Sequence, residues 1–300
     1  MVTVELLEDP VELLERAGAF LARDGLLNTV VGSVTSRAVA SDALGIERDP
    51  AVPRWWAIMS DDHGDVVGVA MRTAPGAPHP LYVLAMPDEA ATAFARAIDA
   101  RGEEVLAVNG VLPATRVVAE ELARLQGGVV AEDQHTRLFE LGELVWPATR
   151  PPGLLRLAEA SDAKLCLAWF VAFLADADEQ AGRPRGSSPE ISSFTLEDMH
   201  RRIADERVWL WLLDDGTPVH VTAANPPSFG VARIGPVYTP PEHRGRGYAS
   251  TAVAEVSRQV RDTGARVCLF TDQANPTSNK IYQALGYEPV ADLVNLVIRR

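Results

Sequence analysis

Apolar residues recur along this chain with the spacing of strands in some segments and of helices in others. In the second half, short apolar runs bounded by turn residues predict strands, and longer segments with apolar residues three and four apart predict helices. The predicted strands cover residues 154–159, 208–213, 219–224, 231–238, 266–271 and 293–298. The predicted helices cover about 162–176, begin after Thr195, run through 249–260 and begin at Asn275-Pro276. Strands and helices are therefore mixed along the second half of the chain.

A proline-rich segment divides the chain almost in half. Residues 145–153 read VWPATRPPG, which is the composition of a linker or of a crossing between strands. The sequence therefore predicts two domains, at residues 1–146 and 153–300.

The first half is predicted to be a shorter copy of the second. Its hairpin WWAIMSDDHGDVVGVAM matches VWLWLLDDGTPVHVTA, so that Gly64 corresponds to Gly216, 152 positions later. In a second shared segment Pro113 corresponds to Pro276, 163 positions later, which makes the first copy 163 − 152 = 11 residues shorter between these positions. That interval reads LYVLAMPDEAATAF in the first copy and holds neither paired glycines nor paired arginines. A chance match of two similar hairpins is the alternative.

The composition argues against several classes of protein. The 300 residues carry a formal net charge of −13, which opposes general binding to nucleic acid because phosphate would be repelled over most of the surface. No apolar run approaches the roughly 20 residues that span a bilayer, and the N-terminal segment is unlike a signal peptide. We therefore expect a cytoplasmic protein without a membrane or nucleic-acid partner. Cys166 and Cys268 are expected to be buried thiols, and the scattered His residues predict no metal site.

Residues 237–249, which read VYTPPEHRGRGYA, predict a phosphate-binding turn between a strand and a helix. Gly245 and Gly247 let the backbone approach a ligand and direct successive N–H groups at it, and the helix N-terminus adds its positive dipole end. Arg244 and Arg246 add fixed positive charge. The segment fits neither a Rossmann fingerprint nor a Walker loop. A tight turn without a ligand is the alternative.

The spacing Arg244-x-x-Gly247-x-Ala249 resembles the acyl-CoA pyrophosphate loop of the GNAT superfamily of N-acyltransferases. The resemblance covers roughly residues 154–300. It implies a mixed, mostly antiparallel sheet that is flanked by helices and splayed at its middle, so that acyl-CoA enters between two strands. Together with the internal match, it implies an α+β protein of two GNAT-like domains, of which the N-terminal one is a degenerate copy without the pyrophosphate loop.

A second motif adds to this resemblance. Residues 275–287 read NPTSNKIYQALGY and resemble the GNAT segment in which an Asn and a Tyr face the pantetheine arm and the thioester. Asn275 can equally be a helix N-cap, and both roles can hold at once. Tyr282 lies two helical turns along on nearly the same face, where it can protonate a thiolate leaving group or be a core tyrosine. Leu112 and Ala119 take the matching places in the first copy.

The resemblance also implies the other contacts to acetyl-CoA, because in the family the end of the fourth strand binds pantetheine. The expected cofactor-binding residues are Val237, Tyr238, Thr239, Arg244, Gly245, Arg246, Gly247, Tyr248, Ala249, Asn275 and Asn279, and the expected catalytic residue is Tyr282. Glu242, Asp272 and His220 are candidates for a general base, but each is better explained as a solvated or structural side chain, so none is assigned.

The sequence as a whole predicts an N-acetyltransferase that transfers an acyl group from acetyl-CoA to an amine by direct attack on the thioester. The acceptor is expected to be a small-molecule or peptide amine, and a homodimer stays open. A non-catalytic acyl-CoA-binding sensor or scaffold is the main alternative. A dinucleotide-binding oxidoreductase would need an acidic residue after a second parallel strand and is poorly supported. Trp209 and Trp211 alternate on a strand and are expected in the core.

Overall fold

The computed structural model describes residues 2–188, 191 and 194–300, and the chain forms two compact units. Unit 1 contains the described residues up to Arg137 together with Ala291–Arg300, and unit 2 contains Leu138–Val290. The predicted linker at 145–153 therefore lies inside unit 2. The division falls elsewhere because each half ends in a strand that crosses it. Residues 138–141, at the end of the strand 129–141, belong to unit 2, and residues 291–299, at the end of the strand 287–299, belong to unit 1.

Unit 1 is a mixed sheet with four helices. Its elements are β1 (Thr3–Leu7), α1 (Pro10–Arg23), α2 (Thr29–Ala43), β2 (Trp55–Ser60), β3 (Val66–Arg72), β4 (Leu81–Val83), α3 (Asp88–Ala100), β5 (Ala107–Val111), α4 (Ala114–Gln126) and the first part of β6 (Val129–Leu141). Strands β1 to β5 lie in chain order, with antiparallel pairs up to β4 and a parallel pair β4–β5. The end of the chain adds a strand antiparallel to β5.

Unit 2 repeats this order of elements. They are β7 (Leu154–Leu157), α5 (Ala163–Gln180), α6 (Leu196–Ala204), β8 (Val208–Leu212), β9 (Pro218–Ala224), β10 (Val231–Tyr238), α7 (Tyr248–Asp262), β11 (Arg266–Asp272), α8 (Pro276–Ala284) and the first part of β12 (Tyr287–Arg299). Strands β7 to β10 form antiparallel pairs, β10–β11 is parallel, and the end of β6 lies beside β11. The predicted α+β fold, with two domains of mostly antiparallel sheet, is confirmed.

The residues that suggested a duplication occupy equivalent places in the two units. Gly64 and Gly216 lie in the turns β2–β3 and β8–β9 with φ of 86° and 83°, a conformation that glycine adopts without strain. Pro113 immediately precedes α4, and Pro276 is the first residue of α8. The internal match in the sequence therefore reflects the same succession of elements in both halves.

Most predicted elements of unit 2 are present with shifted ends. Helix α5 continues four residues past the predicted end at 176, and β12 begins six residues before the predicted start at 293. Between α5 and α6 the composition at 181–190, AGRPRGSSPE, is that of a loop, and the structure describes this segment to Ser188. Trp211 is fully buried and Trp209 is 7% exposed, as expected for core residues. In the described part of the chain, no helix is long and apolar enough to cross a bilayer.

The parallel strands β10 and β11 separate after a short pairing. Only Val231–Arg233 of β10 pairs with β11, and from Ile234 onward β10 pairs with β9 alone, with an irregular register between Ile234 and Val237. In unit 1, by contrast, all three residues of β4 pair with β5. The predicted splay is thus found in unit 2, where it leaves one side of β10 without a strand partner over its last residues.

We expect Gly110→Ala to open the β4–β5 pairing of unit 1. Gly110 has φ of 141°, and a β-carbon there would lie 2.0 Å from the carbonyl oxygen of Val83. The clash and the backbone strain together should cost about 3 kcal/mol in the free energy of unfolding, measured with urea. Gly102→Ala is the control, since Gly102 has φ of 72° with open space around it and should cost about 1 kcal/mol. Equal losses would contradict the close approach of β4 to β5.

Candidate active site

The turn between β10 and α7 presents a row of free backbone N–H groups. Gly245 and Gly247 have φ of 75° and 84°, and both residues are exposed. Within the described chain, no acceptor takes a hydrogen bond from the N–H groups of residues 245–250. Helix α7 begins at Tyr248, so its positive dipole end adds to these donors. The turn therefore has the geometry of an anion site, and a pyrophosphate matches it.

The side chains around the turn hold it in place. Tyr248 is 3% exposed, and its ring lies 6.2 Å from the ring of Trp211. Thr251 donates to the carbonyl of Gly247 with its hydroxyl and with its backbone N–H, both at 3.1 Å. Tyr248 was predicted to bind the cofactor, and its buried ring leaves only its backbone N–H for that role.

The two arginines of the turn have different partners. Arg244 donates from Nε to the carbonyl of Thr239 at 2.9 Å, forms an ion pair with Asp176 of α5, and lies over the ring of Tyr238. Arg246 is exposed, and among the residues that the structure describes it donates only to the carbonyl of Glu242, at 3.2 Å. The charge of Arg244 is therefore paired with a carboxylate, whereas that of Arg246 faces solvent.

His220 lies buried beneath the same segment and hydrogen-bonds two threonines. Its Nδ1 is 2.7 Å from the hydroxyl of Thr239, and its Nε2 is 2.7 Å from the hydroxyl of Thr222. Burial lowers the pKa of His220 to about 3, so the ring is neutral near pH 7. With both nitrogens engaged and no exposure to solvent, His220 is a structural residue of β9 and not a base open to a substrate.

The other two candidate bases lie at the edges of the turns. Glu242 is exposed on the 3₁₀ turn that follows β10. Asp272 ends β11, and its carboxylate accepts from the backbone N–H of Ala274 at 2.8 Å. Neither environment marks Glu242 or Asp272 as a general base, so no residue is assigned to that role.

Asn275 and Asn279 join α8 to its neighbours. Asn275 is the N-cap of α8: its side-chain oxygen accepts from the N–H of Ser278 at 3.0 Å, and its Nδ2 donates to Gln180 at 2.8 Å. Asn279 donates from Nδ2 to the carbonyl of Asp272 at 3.2 Å and accepts from the hydroxyl of Thr271. The polar atoms of both side chains are therefore engaged within the protein in this state.

Tyr282 lies in the apolar core between α7, α8 and β11. It is 8% exposed, and its ring meets the edge of Tyr287 at 6.0 Å between centroids. Burial raises the pKa of Tyr282 to about 12, so its phenol stays protonated at neutral pH and is a weak acid. The hydroxyl of Tyr287, in contrast, is paired with that of Ser257 at 2.7 Å.

The corresponding turn in unit 1, between β4 and α3, is short and is followed by acidic residues. Residues 84–87 connect β4 directly to α3, and a β-carbon on Gly68 would come within 2.9 Å of the Met86 side chain, which shows how closely Met86 covers the sheet. The first turn of α3 carries Asp88 and Glu89, whose charges would repel an anion. Leu112 and Ala119 take the places of Asn275 and Tyr282.

Three side chains in this region were not selected from the sequence. Asp176, Thr222 and Thr239 contact the turn or His220 through their side chains, and only Thr239 was expected at the site, for its backbone. One signal existed for Asp176, because an acidic residue at the end of an otherwise apolar helical segment needs a partner if it is buried.

Comparison with known proteins identifies the fold. A family model described as FR47-like protein matches residues 220–294. An acetyltransferase from the GNAT family from Colwellia psychrerythraea is similar at 10% identity and a TM-score of 0.57, over 99% of this chain and 100% of its own. A GCN5-related N-acetyltransferase from Sphaerobacter thermophilus is similar at 17% identity and 0.58, over 98% and 94%. A tandem GNAT protein from the clavulanic acid biosynthesis pathway is similar at 14% and 0.56, over 99% and 98%.

These similarities extend over 98 to 99% of the chain, so the fold that the resemblance in the sequence implied is confirmed. A comparison with curated proteins found no match. At identities of 10 to 17%, the solved structures show the fold alone. Ligands and activity therefore have to be argued from the residues of this chain.

The buried His220 makes a testable contribution to the pH dependence of stability. Its pKa is about 3 in the folded protein and about 6.5 when exposed, so the unfolded chain binds more protons below pH 6.5. Stability from this group is complete above pH 6.5 and is lost as the pH falls toward 3. Between pH 7.5 and 5 the loss should be about 2 kcal/mol.

Urea unfolding of the wild type and of His220→Gln at both pH values measures this contribution. Gln keeps two hydrogen-bonding groups but does not titrate, so the variant should lack the 2 kcal/mol difference. His63→Gln, on an exposed turn, is the control. An identical pH dependence in the wild type and His220→Gln would show that His220 is not held neutral.

Proposed function

We propose that unit 2 binds acetyl-CoA and transfers its acetyl group to an amine, and that unit 1 is a copy that does not bind the cofactor. The main support for a cofactor site in unit 2 is an unpaired strand edge combined with a row of free N–H groups. Strand β10 lacks a β11 partner from Ile234 onward, and residues 245–250 have free N–H groups a few positions later. An extended ligand with amide groups at one end and a pyrophosphate at the other matches both.

The proposed contacts follow from these positions. Backbone groups of Val237, Tyr238 and Thr239 would pair with the amides of the pantetheine arm, as a further strand would. The N–H groups of Gly245 to Ala249 would hold the pyrophosphate, and Arg246 would add its unpaired charge. Asn275 and Asn279 would line the opening, with their polar atoms still bound to the protein.

The chemistry requires few side chains. A neutral amine attacks the thioester carbonyl, and the new C–N bond replaces the C–S bond. The amine proton passes to water, and the thiolate leaves and takes up a proton from water to give free CoA thiol. A backbone N–H at the end of β10 would polarise the carbonyl oxygen. Tyr282 would donate a hydrogen bond to the leaving sulfur. Because its pKa is about 12 and that of a free thiol is near 8.5, complete proton transfer to the thiolate is uphill.

Three observations support the assignment of unit 1 as a non-binding copy. Its strands β4 and β5 are paired over all of β4, so they leave no edge for pantetheine. The turn before α3 carries Asp88 and Glu89. Ala119 provides no hydroxyl where unit 2 has Tyr282.

The alternative is an acyl-CoA-binding sensor without catalysis. One observation favours it, since His220 is buried with both ring nitrogens engaged and the surroundings of Glu242 and Asp272 do not mark either as a general base. The two functions differ in a simple assay, because only an enzyme releases free CoA thiol from acetyl-CoA in proportion to an added amine. A panel of amino acids, polyamines, aminoglycosides and peptides covers the acceptor classes. From the sequence we retain the expectation of a cytoplasmic protein.

The first test is the number of cofactor sites. Calorimetry should give one CoA per chain, and Gly247→Asp should abolish binding because a carboxylate would take the place of the pyrophosphate at a residue with φ of 84°. Gly216→Asp is the matched control, since Gly216 has φ of 83° in an exposed turn with open space around it. Two sites per chain would overturn the assignment of unit 1, and full binding by a folded Gly247→Asp would overturn the turn as the phosphate site.

The second test concerns Tyr282. Tyr282→Phe keeps the ring packing and removes the hydroxyl, so CoA affinity should stay the same while kcat falls about 100-fold, at the lower end of the range for acid assistance because the phenol is a weak acid. Tyr287→Phe is the control: it removes the hydrogen bond between the Tyr287 and Ser257 hydroxyls, while Ser257 keeps its bond to the carbonyl of Val253. It should lower the free energy of unfolding by about 1 kcal/mol without a comparable loss of kcat. Full activity of Tyr282→Phe would exclude a catalytic role.

A further inference from the structure

Asp176, near the C-terminal end of α5, is a buried carboxylate that pairs with arginines from two other segments. The residue is 9% exposed. One oxygen contacts Arg244 of the glycine turn, and the other contacts Arg185, which also pairs with Glu179 at 3.1 Å. A buried carboxylate is stable only with such partners, and removing one partner from a buried pair is strongly destabilising.

Through Arg244, this carboxylate reaches the end of β10. Arg244 donates to the carbonyl of Thr239 at 2.9 Å, and the hydroxyl of Thr239 bonds His220 at 2.7 Å on its other side. Thr239 directly follows the unpaired part of β10. The end of a strand that lacks one neighbour is therefore fixed by two side chains instead of by a second strand.

We propose that Asp176 is a positioning residue of the cofactor site, which acts through Arg244 to hold the backbone of residues 237–239 and the start of the turn in their binding geometry. The proposal rests on the proposed function of unit 2. It also changes the role of Arg244, whose guanidinium is a link between α5 and β10 and not a direct ligand of the pyrophosphate.

The contacts of Arg244 favour a structural link between α5 and β10 over a role as a phosphate ligand. The guanidinium of Arg244 donates in two directions at once, to a backbone carbonyl and to a carboxylate, and it lies 5.7 Å from the centroid of the Tyr238 ring. The Arg244 side chain is 47% exposed, so its remaining N–H groups can face solvent, but a rotation of the guanidinium toward a phosphate would break these contacts. Asp176 would then keep Arg185 as its partner and lose the link to β10. Arg246, two residues on, donates only to the Glu242 carbonyl among the described residues and has no carboxylate partner there, so it can supply charge without breaking an ion pair.

The two roles of Arg244 predict opposite effects of Asp176→Asn on cofactor affinity. If Arg244 is a link, the loss of the carboxylate loosens the end of β10, and CoA binds more weakly. If Arg244 is a phosphate ligand that Asp176 holds back, the same substitution releases a cation and CoA binds more tightly. Arg244→Lys separates charge from geometry, because Lys keeps the charge but cannot donate in the same fork.

The experiment combines calorimetry with CoA and hydrogen exchange of the free protein. For Asp176→Asn and Arg244→Lys we expect CoA affinity to fall about tenfold, and amides of residues 237–247 to exchange about tenfold faster, while the melting temperature shows that the protein is folded. Asp262→Asn is the matched control. It breaks an exposed ion pair with Arg258 in the last turns of α7 and should change neither quantity.

Each remaining outcome decides the question. Tighter CoA binding by Asp176→Asn, or unchanged affinity and exchange, overturns the positioning role. Full affinity of Arg244→Lys shows that only the charge of Arg244 matters and overturns it as well. If the wild type itself binds no CoA, the proposed function of unit 2 fails and the cofactor role of Asp176 with it, while the exchange data still show whether Asp176 holds the end of β10.

Discussion

The separation of two parallel strands is the constraint on which the rest of unit 2 depends. Backbone N–H and C=O groups need hydrogen-bond partners wherever they are shielded from water. Strand β10 loses its β11 partner after Arg233, and residues 245–250 of the next turn also lack acceptors. A ligand that pairs with both stretches satisfies the groups that the fold leaves open. The proposed site is therefore made mainly of backbone groups.

An open strand edge costs stability, and the surrounding side chains compensate for it. His220 and Arg244 fix Thr239 from its hydroxyl and its carbonyl, and Tyr248 packs under the turn against Trp211. Unit 1 shows the other solution with the same order of elements. There β4 is short, all of it pairs with β5, and Gly110 lets the two strands approach where a β-carbon would meet the carbonyl of Val83 at 2.0 Å.

The sequence predicted the local features and missed the long-range ones. Strand and helix periods, the turn glycines and the cap at Asn275 are properties of neighbouring residues, and the structure confirms them. The ends of the two units could not be predicted, because the strand that completes each sheet is far away in the chain. Asp176 and Arg244 are 68 positions apart, and nothing in either segment shows that they pair. Periodicity carries no information on such contacts.

The chemistry assigned to side chains changes most when burial is known. From the sequence, Tyr282 was the expected catalytic residue, and His220 was a possible base that was not assigned. In the folded protein, the pKa of Tyr282 rises to about 12 and that of His220 falls to about 3, and both shifts have the same cause, the cost of a charge in an apolar surrounding. Both residues are thereby kept neutral. A neutral phenol can still donate a hydrogen bond to a leaving thiolate. A neutral imidazole whose two nitrogens are both hydrogen-bonded, as in His220, has a structural role. Acyl transfer at this site would therefore depend on positioned backbone donors more than on titrating side chains.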